Sequence, residues 1–224
     1  WKADGSPVTI ADREAEALIR RGIAARYPDH AILGEEYGEE AGDAANTARV
    51  RWIIDPIDGT KSFIRGVPLY GTMIGVLVDG DPVVGVVYLP GLDELVAAGR
   101  GLGCTWNGRP CRVSTRNSLD EALVAVTDVR DALGRPGGYE RLAQQTWIQR
   151  TWGDCYAYVL LATGRAEVAL DPEMNPWDCA AVLPLVEEAG GVFTSWKGER
   201  TIDGGDAVAT NGLLHARVLG LLDP

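Results

Sequence analysis

Apolar positions in the first part of the chain follow two periods. Ala15, Leu18, Ile19, Ile23 and Ala24 recur at helical spacing, so residues Asp12–Tyr27 are predicted as an amphipathic helix. Thr9 or Asp12 is placed to cap it, and Pro28-Asp29-His30 ends it. The stretch before it, residues 1–11, is expected to be a loop closing on a short strand. Ala31-Ile32-Leu33 is a short apolar strand leading into Gly34-Glu35-Glu36, and His30 in the preceding break reads as a surface residue. Residues 39–49 are polar and rich in Ala and Gly, and an exposed loop is expected there. Trp52-Ile53-Ile54 then runs straight into a polar turn, Asp55-Pro56-Ile57-Asp58-Gly59-Thr60, the pattern of a buried strand ending at a site. From residue 71 the period becomes two. Gly71–Val78 and Pro82–Leu89 read as strands joined at Asp79-Gly80-Asp81, Glu94–Gly99 as a third, and residues 101–113 as a hairpin turning at Asn107-Gly108. An antiparallel sheet is predicted.

Beyond residue 118 the pattern alternates strand with helix. Strands are expected at Ala122–Thr127, Ile148–Trp152, Ala166–Leu170, Val192–Trp196 and Ala207–Thr210. Helices are expected at Tyr139–Thr146, Asp154–Thr163, Asp178–Ala189 and Leu213–Leu222. The chain is therefore assigned to the α+β / α/β class, with an N-terminal unit over residues 1–118 and a C-terminal α/β unit over 119–224.

Composition narrows the partners. Hydrophobic residues make up 46% of the 224 and charged residues 24%, ordinary values for a globular protein able to bury a core without disulfides. The net charge of -11 argues against binding the nucleic-acid backbone. No apolar run is long enough to span a membrane, and no signal peptide opens the chain. The four cysteines form no C-x-x-C pair and the chain has two histidines, so a zinc centre is not expected; reduced thiols in a cytoplasmic protein are. A phosphate-bearing substrate would need positive charge brought to this acidic chain, and metal ions are the obvious source.

The candidate chemistry lies in four acidic positions at element junctions: Glu35, Asp55, Asp58 and Asp178. Carboxylates that converge without a cation repel one another, so such a cluster implies a hard ion such as Mg²⁺. Asp55, Asp58 and Asp178 also have plainer readings. A D-x-x-D step can be an acidic turn, and Asp178 at the start of its helix can be a cap. Gly59 permits close backbone approach, so the amides of Gly59 and Thr60 could hold a phosphate.

Gly34-Glu35-Glu36, the string D-P-I-D-G-T at 55–60 and W-D-C-A-A at 177–181 followed by E-A-G-G at 188–191 together resemble the inositol monophosphatase superfamily of metal-dependent phosphomonoesterases. The resemblance covers nearly the whole chain and implies the layered α-β-α-β-α sandwich of the inositol monophosphatase and fructose-1,6-bisphosphatase type. It implies a further helix ahead of the K-A-D-G-S-P-V-T segment at residues 2–9. It also implies a site. Glu35, Asp55 and the carbonyl of Ile57 would hold one Mg²⁺; Asp55, Asp58 and Asp178 a second; a third, weaker ion would sit near Glu35 and Glu36. Mn²⁺ is a possible substitute. Thr60, hydrogen-bonded to Asp12, would orient the attacking water, though Asp12 could be only a cap and Thr60 only a turn residue. Lys61 would neutralise phosphate charge or be a solvated surface residue. Within the superfamily, D-G-T-K-S-F-I-R-G at 58–66 and W-G-D-C-Y-A-Y at 152–158 are similar to the histidinol-phosphate phosphatase branch. That branch implies Asp154 and Asp171 as carboxylates facing a cationic substrate, with Asp154 alternatively a helix cap. It further implies a small-molecule phosphate monoester as partner and a homodimer. The rivals are a polyol or sugar phosphatase of the same fold and a catalytically silent metal-binding regulatory protein.

Overall fold

A computed structural model describes residues 9–40, 49–135 and 138–223. The expected leading loop and short strand at residues 1–11 therefore lie almost wholly outside the described residues, as do residues 41–48 of the expected exposed loop. The elements run α1 (Ile10–Arg26), β1 (Ala31–Gly34), β2 (Gly38–Glu40), β3 (Val50–Asp58), α2 (Thr60–Phe63), β4 (Gly71–Val78), β5 (Asp81–Leu89), β6 (Glu94–Gly99), β7 (Gly103–Trp106) and β8 (Arg109–Cys111). They continue with β9 (Leu123–Val126), α3 (Val129–Gly134), α4 (Gly138–Gln145), β10 (Ile148–Arg150), α5 (Asp154–Ala162), β11 (Val168–Asp171), α6 (Pro176–Cys179), α7 (Val182–Glu188), β12 (Val192–Thr194), β13 (Ala207–Thr210) and α8 (His215–Leu222).

Two sheets result. The first has eight strands in the order β2-β1-β3-β4-β5-β6-β7-β8; the second has five, β10-β9-β11-β13-β12. Alternation along single strands shows how they stack. Ile53 of β3 faces one buried cluster and Ile54, its neighbour, faces another with Ile32 and Ile23 of α1. In the second sheet Ala125, Ala169, Ala207 and Ala209 face the same cluster as Ile53, while Val124, Val168, Leu170 and Val208 face a third, shared with α3, α4 and α8. Helices α5 and α7 contribute Ala157, Leu161, Leu183 and Leu185 to the middle cluster. The layers are therefore α1, first sheet, α5 to α7, second sheet, and α3 with α4 and α8. This is the α-β-α-β-α sandwich, its strands alternating between two buried layers as period two requires.

Close approach of α6 and α7 to the first sheet depends on two glycines. A Cβ on Gly75 of β4 would lie 2.6 Å from the Ala180 carbonyl carbon, and one on Gly85 of β5 would lie 2.0 Å from the Ala181 oxygen. The bare strands let the α6–α7 junction seat directly on the sheet.

Several boundaries differ from the sequence reading. Helix α1 begins at Ile10 because Thr9 is its N-cap, and Asp12 reciprocates by accepting from the Thr9 amide at 2.7 Å. Both proposed caps thus act together. Residues 38–40 of the expected loop pair with β1 as β2. The helix expected over 178–189 is two, α6 and α7, with Ala180 and Ala181 between them, and α3 is an addition. His30 is half-buried rather than a plain surface residue: it stacks on Tyr27 at 4.9 Å and its Nδ1 accepts from the Trp52 indole at 2.9 Å. Among the described residues no helix is long and apolar enough to cross a membrane.

Candidate active site

Strand β3 delivers two of the four acidic positions. It is regular against β4 as far as Asp55, then the register shifts before Asp58 pairs with Gly71. That irregularity, at Pro56-Ile57, lets Asp55 and Asp58 turn toward the same side at the strand end. Asp178 arrives from α6, on the helix that the Gly75 and Gly85 gaps admit. Ligand oxygens of Asp55, Asp58 and Asp178 lie within 4.8 Å of one another. Asp178 also acts as a cap, its Oδ2 accepting from the Asn175 amide at 2.7 Å at the start of α6.

Glu35 follows β1, next to this cluster. The turn that carries it is set from α1: the buried carboxylate of Glu16 accepts from the amides of Glu36 at 2.8 Å and Tyr37 at 3.3 Å. Glu16 can reach them because Gly34 leaves room; a Cβ there would sit 1.9 Å from its carboxylate oxygen. Arg20 pairs with Glu16 at 2.7 Å, so this second buried acid is neutralised.

The cluster itself is not. Burial, followed by Asp58, Glu35 and Asp178, pushes the Asp55 carboxyl well above the ordinary carboxylate range. Burial and then Asp154 and Asp178 do the same to Asp58, against a backbone hydrogen bond donated by Cys155. Asp178 is raised to about 6, chiefly by burial and then, past the opposing Asn175 amide, by Glu35. Oδ1 of Asp55 is buried with no hydrogen-bond partner among the described residues. Among the described residues no ion pair neutralises Asp55, Asp58 or Asp178, and the donor set, oxygens alone, suits a hard divalent cation.

Turn residues complete the strand end. Gly59 adopts φ 79° and heads the short helix α2. The Thr60 hydroxyl has two acceptors, the Ile57 carbonyl at 2.9 Å and Asp12 Oδ1 at 3.3 Å. Asp12 therefore caps its helix with one oxygen and faces Thr60 with the other. Lys61 is exposed, and its charge pulls the Asp154 carboxyl down against the dominant effect of burial, which raises it.

Asp154 and Asp171 meet the cluster from the second sheet's side. Together with Asp58, Asp178, Thr127 and Glu173 they line one cavity of about 90 Å³, and no lysine or arginine lines it among the described residues. Asp154 does not act as the cap of α5; that position is Gly153. Its backbone is in the left-handed region, φ 54°, an uncommon conformation for a non-glycine residue. Its amide donates to Thr127 at 3.0 Å, and its carboxylate lies against Gly59. Asp171 ends β11, accepts from the buried Tyr158 hydroxyl at 2.9 Å and is raised to about 7, mainly by burial. Thr127 and Glu173 were not singled out in the sequence. The sole signal for Glu173 is its place between Asp171 and Asp178, where a surface acid is unremarkable.

A family model for the inositol monophosphatase family matches residues 2–223. This chain belongs to the inositol monophosphatase family. Membership makes it a phosphoric monoester hydrolase of a metal-dependent family. The chain is 45% identical to the histidinol-phosphatase of Chlorobaculum parvum, over 99% of this chain and 85% of that protein. It is 42% identical to the histidinol-phosphatase of Mycobacterium tuberculosis, over 99% and 86%. Among solved structures it superposes on the IMPase of Thermotoga maritima with a TM-score of 0.88 at 32% identity, covering 98% of this chain and 84% of that one.

Proposed function

We propose that the protein hydrolyses L-histidinol phosphate to L-histidinol and phosphate, using Mg²⁺ held by Glu35, Asp55, the Ile57 carbonyl, Asp58 and Asp178. The observation that carries the metal part is the unneutralised cluster, with Oδ1 of Asp55 buried and unpartnered. Bound divalent cations supply charge neutralisation for the phosphate and leaving oxygens and make water acidic enough to attack near neutral pH. Mn²⁺ offers the same hard chemistry.

The chain's own residues do the positioning. Thr60 has one proton and two acceptors; donation to Asp12 leaves a lone pair to accept from the attacking water and orient it toward phosphorus. The amides of Gly59 and Thr60, at the head of α2, serve as donors to phosphate oxygens. Asp154 and Asp171 take the organic half of the substrate. A cavity walled by carboxylates suits a leaving group carrying an amine and an imidazole better than a neutral polyol. Glu173 adds to the same negative wall. A cytoplasmic homodimer belongs to this reading, and sedimentation of the purified protein tests the dimer.

Phosphate release from histidinol phosphate, myo-inositol 1-phosphate and fructose 1,6-bisphosphate, each with Mg²⁺, tests the assignment. Histidinol phosphate is expected to give the highest kcat/KM. A higher value for inositol phosphate would retain the family chemistry and remove the proposed substrate.

A further inference from the structure

The β7–β8 hairpin carries two thiols that the phosphatase chemistry does not use, Cys104 in the middle buried cluster and Cys111 packed against it. Cys104 and Cys111 are directly opposed in the register, two pairs from the turn at Asn107-Gly108. Both turn residues have positive φ, 48° and 74°, the geometry of a tight two-residue hairpin that pins the register. Opposed residues on antiparallel strands have Cα atoms roughly 4.5–5.5 Å apart, inside the span of roughly 4.4–6.8 Å that a disulfide bridges. The sulfurs are 3.5 Å apart and hydrogen-bonded. They need to approach by only about 1.5 Å to reach bonding distance.

We propose that Cys104 and Cys111 form a modification site at which a peroxide closes an intramolecular disulfide across the hairpin. Cys111 is the attacking thiol. It is half-exposed, whereas Cys104 is buried. The neighbouring Cys104 sulfur and then the charge of Arg165 favour its thiolate against burial, and Arg165 is held in place over the Trp106 ring at 4.6 Å. The Cys111 thiolate attacks one peroxide oxygen; the O–O bond breaks and the other oxygen leaves as water with the thiol proton. The resulting sulfenic acid is attacked by the Cys104 sulfur, forming the S–S bond and releasing a second water with the Cys104 proton. Two thiols lose two electrons and two protons, and the peroxide becomes two waters. Cys155 and Cys179 are buried in the protein interior, out of reach of a peroxide in solvent. Strands β7 and β8 lie four and five strand steps from β3, roughly 19–24 Å at the usual strand spacing, so the site is separate from the carboxylate cluster.

The test is intact-mass analysis of the full chain before and after hydrogen peroxide, with thiols alkylated after denaturation. Oxidation is expected to remove about 2 Da, to protect Cys104 and Cys111 alone from alkylation, and to be reversed by dithiothreitol. Cys111→Ser, a change at a half-exposed strand end, should abolish the mass loss and leave Cys104 alkylatable. Four alkylatable thiols after peroxide, oxygen addition at Cys111 with Cys104 still free, or a disulfide joining two chains would each overturn the proposal.

Discussion

Two clefts flank the end of β11, and the smaller one holds the carboxylates to which we assign the chemistry. The larger, about 630 Å³, is lined by Arg135, Trp196, Lys197 and Asp206 among others. There the opposite charges meet: Arg135 pairs with Asp206 at 2.5 Å and lies over the Trp196 ring at 4.6 Å, and Asp206 also accepts from the Trp196 amide at 2.7 Å. The smaller cleft, about 90 Å³, brings together Asp58, Asp154, Asp171 and Asp178 with no basic residue on its wall among the described residues. Asp171 belongs to both neighbourhoods. Its carboxylate faces the small cleft through Tyr158, while its carbonyl accepts from the Trp196 indole at 3.0 Å on the other side. Volume alone would select the wrong cleft. Charge left without a partner inside the protein is what marks a site that needs a ligand.

The contrast can be broken by changes on either side. Asp55→Asn should have the largest effect, because it removes the ligand that the proposed ions share. Activity should fall by more than the roughly 10–100-fold that changes in a metal's outer shell cost. In metal-free protein, at a pH high enough to ionise Asp55, the same change should raise the melting temperature, since it removes a buried repulsive charge. Thr60→Ala comes next: kcat should drop by roughly 10²–10⁴-fold with KM little changed, as expected for a group that orients the attacking water. A variant within about twofold of the parent would reduce Thr60 to a turn residue. Asp154→Asn and Asp171→Asn should each raise KM for histidinol phosphate by about tenfold to a hundredfold, the cost of roughly 1.5–3 kcal/mol for a charged hydrogen bond. Glycerol 2-phosphate, which lacks the cationic group, should be much less affected. Equal loss on both substrates would make the two aspartates supports for the fold.

Stability should separate the clefts as well. In metal-free protein Asp178, at about 6, and Asp171, at about 7, hold protons that the unfolded chain has released. The folded state therefore binds more protons between about pH 4 and 7, and thermal stability should fall as pH rises through that window. Saturating Mg²⁺ should flatten the decline. Denaturation midpoints measured across that range, with and without metal, check both statements. Arg135→Ala in the larger cleft is the smallest expected change. It opens a partly exposed pair worth about 1 kcal/mol or less and should leave phosphate release within about twofold.

Much of this arrangement was legible in the sequence because short-range signals carried it. The apolar triplet running into Asp55-Pro56-Ile57-Asp58-Gly59-Thr60 marked a strand end with convergent carboxylates, and period-two alternation marked β4 to β7. The resemblance joined Asp178 to them across more than half the chain. What was not legible depended on contacts between distant segments. Nothing near Gly75 or Gly85 says that the α6–α7 junction will rest on them. Glu16 reads as one acid on an amphipathic helix, and only Gly34 and the Glu36 amide show why it is buried. The break between α6 and α7 was hidden by the continuous apolar run from Cys179 to Val186. Asp12 and Asp178 each looked like a choice between cap and site. Both are caps that also face the cluster or its threonine, because a carboxylate has two oxygens to give.

The central claim is that the unneutralised carboxylates of the small cleft make catalysis depend on a divalent cation. The most direct test is phosphate release from histidinol phosphate by protein stripped with EDTA and dialysed free of it, then titrated with Mg²⁺. The account predicts no turnover in the stripped protein and saturable recovery as Mg²⁺ is added, with Asp55→Asn failing to recover. Full turnover in rigorously metal-free protein would contradict it.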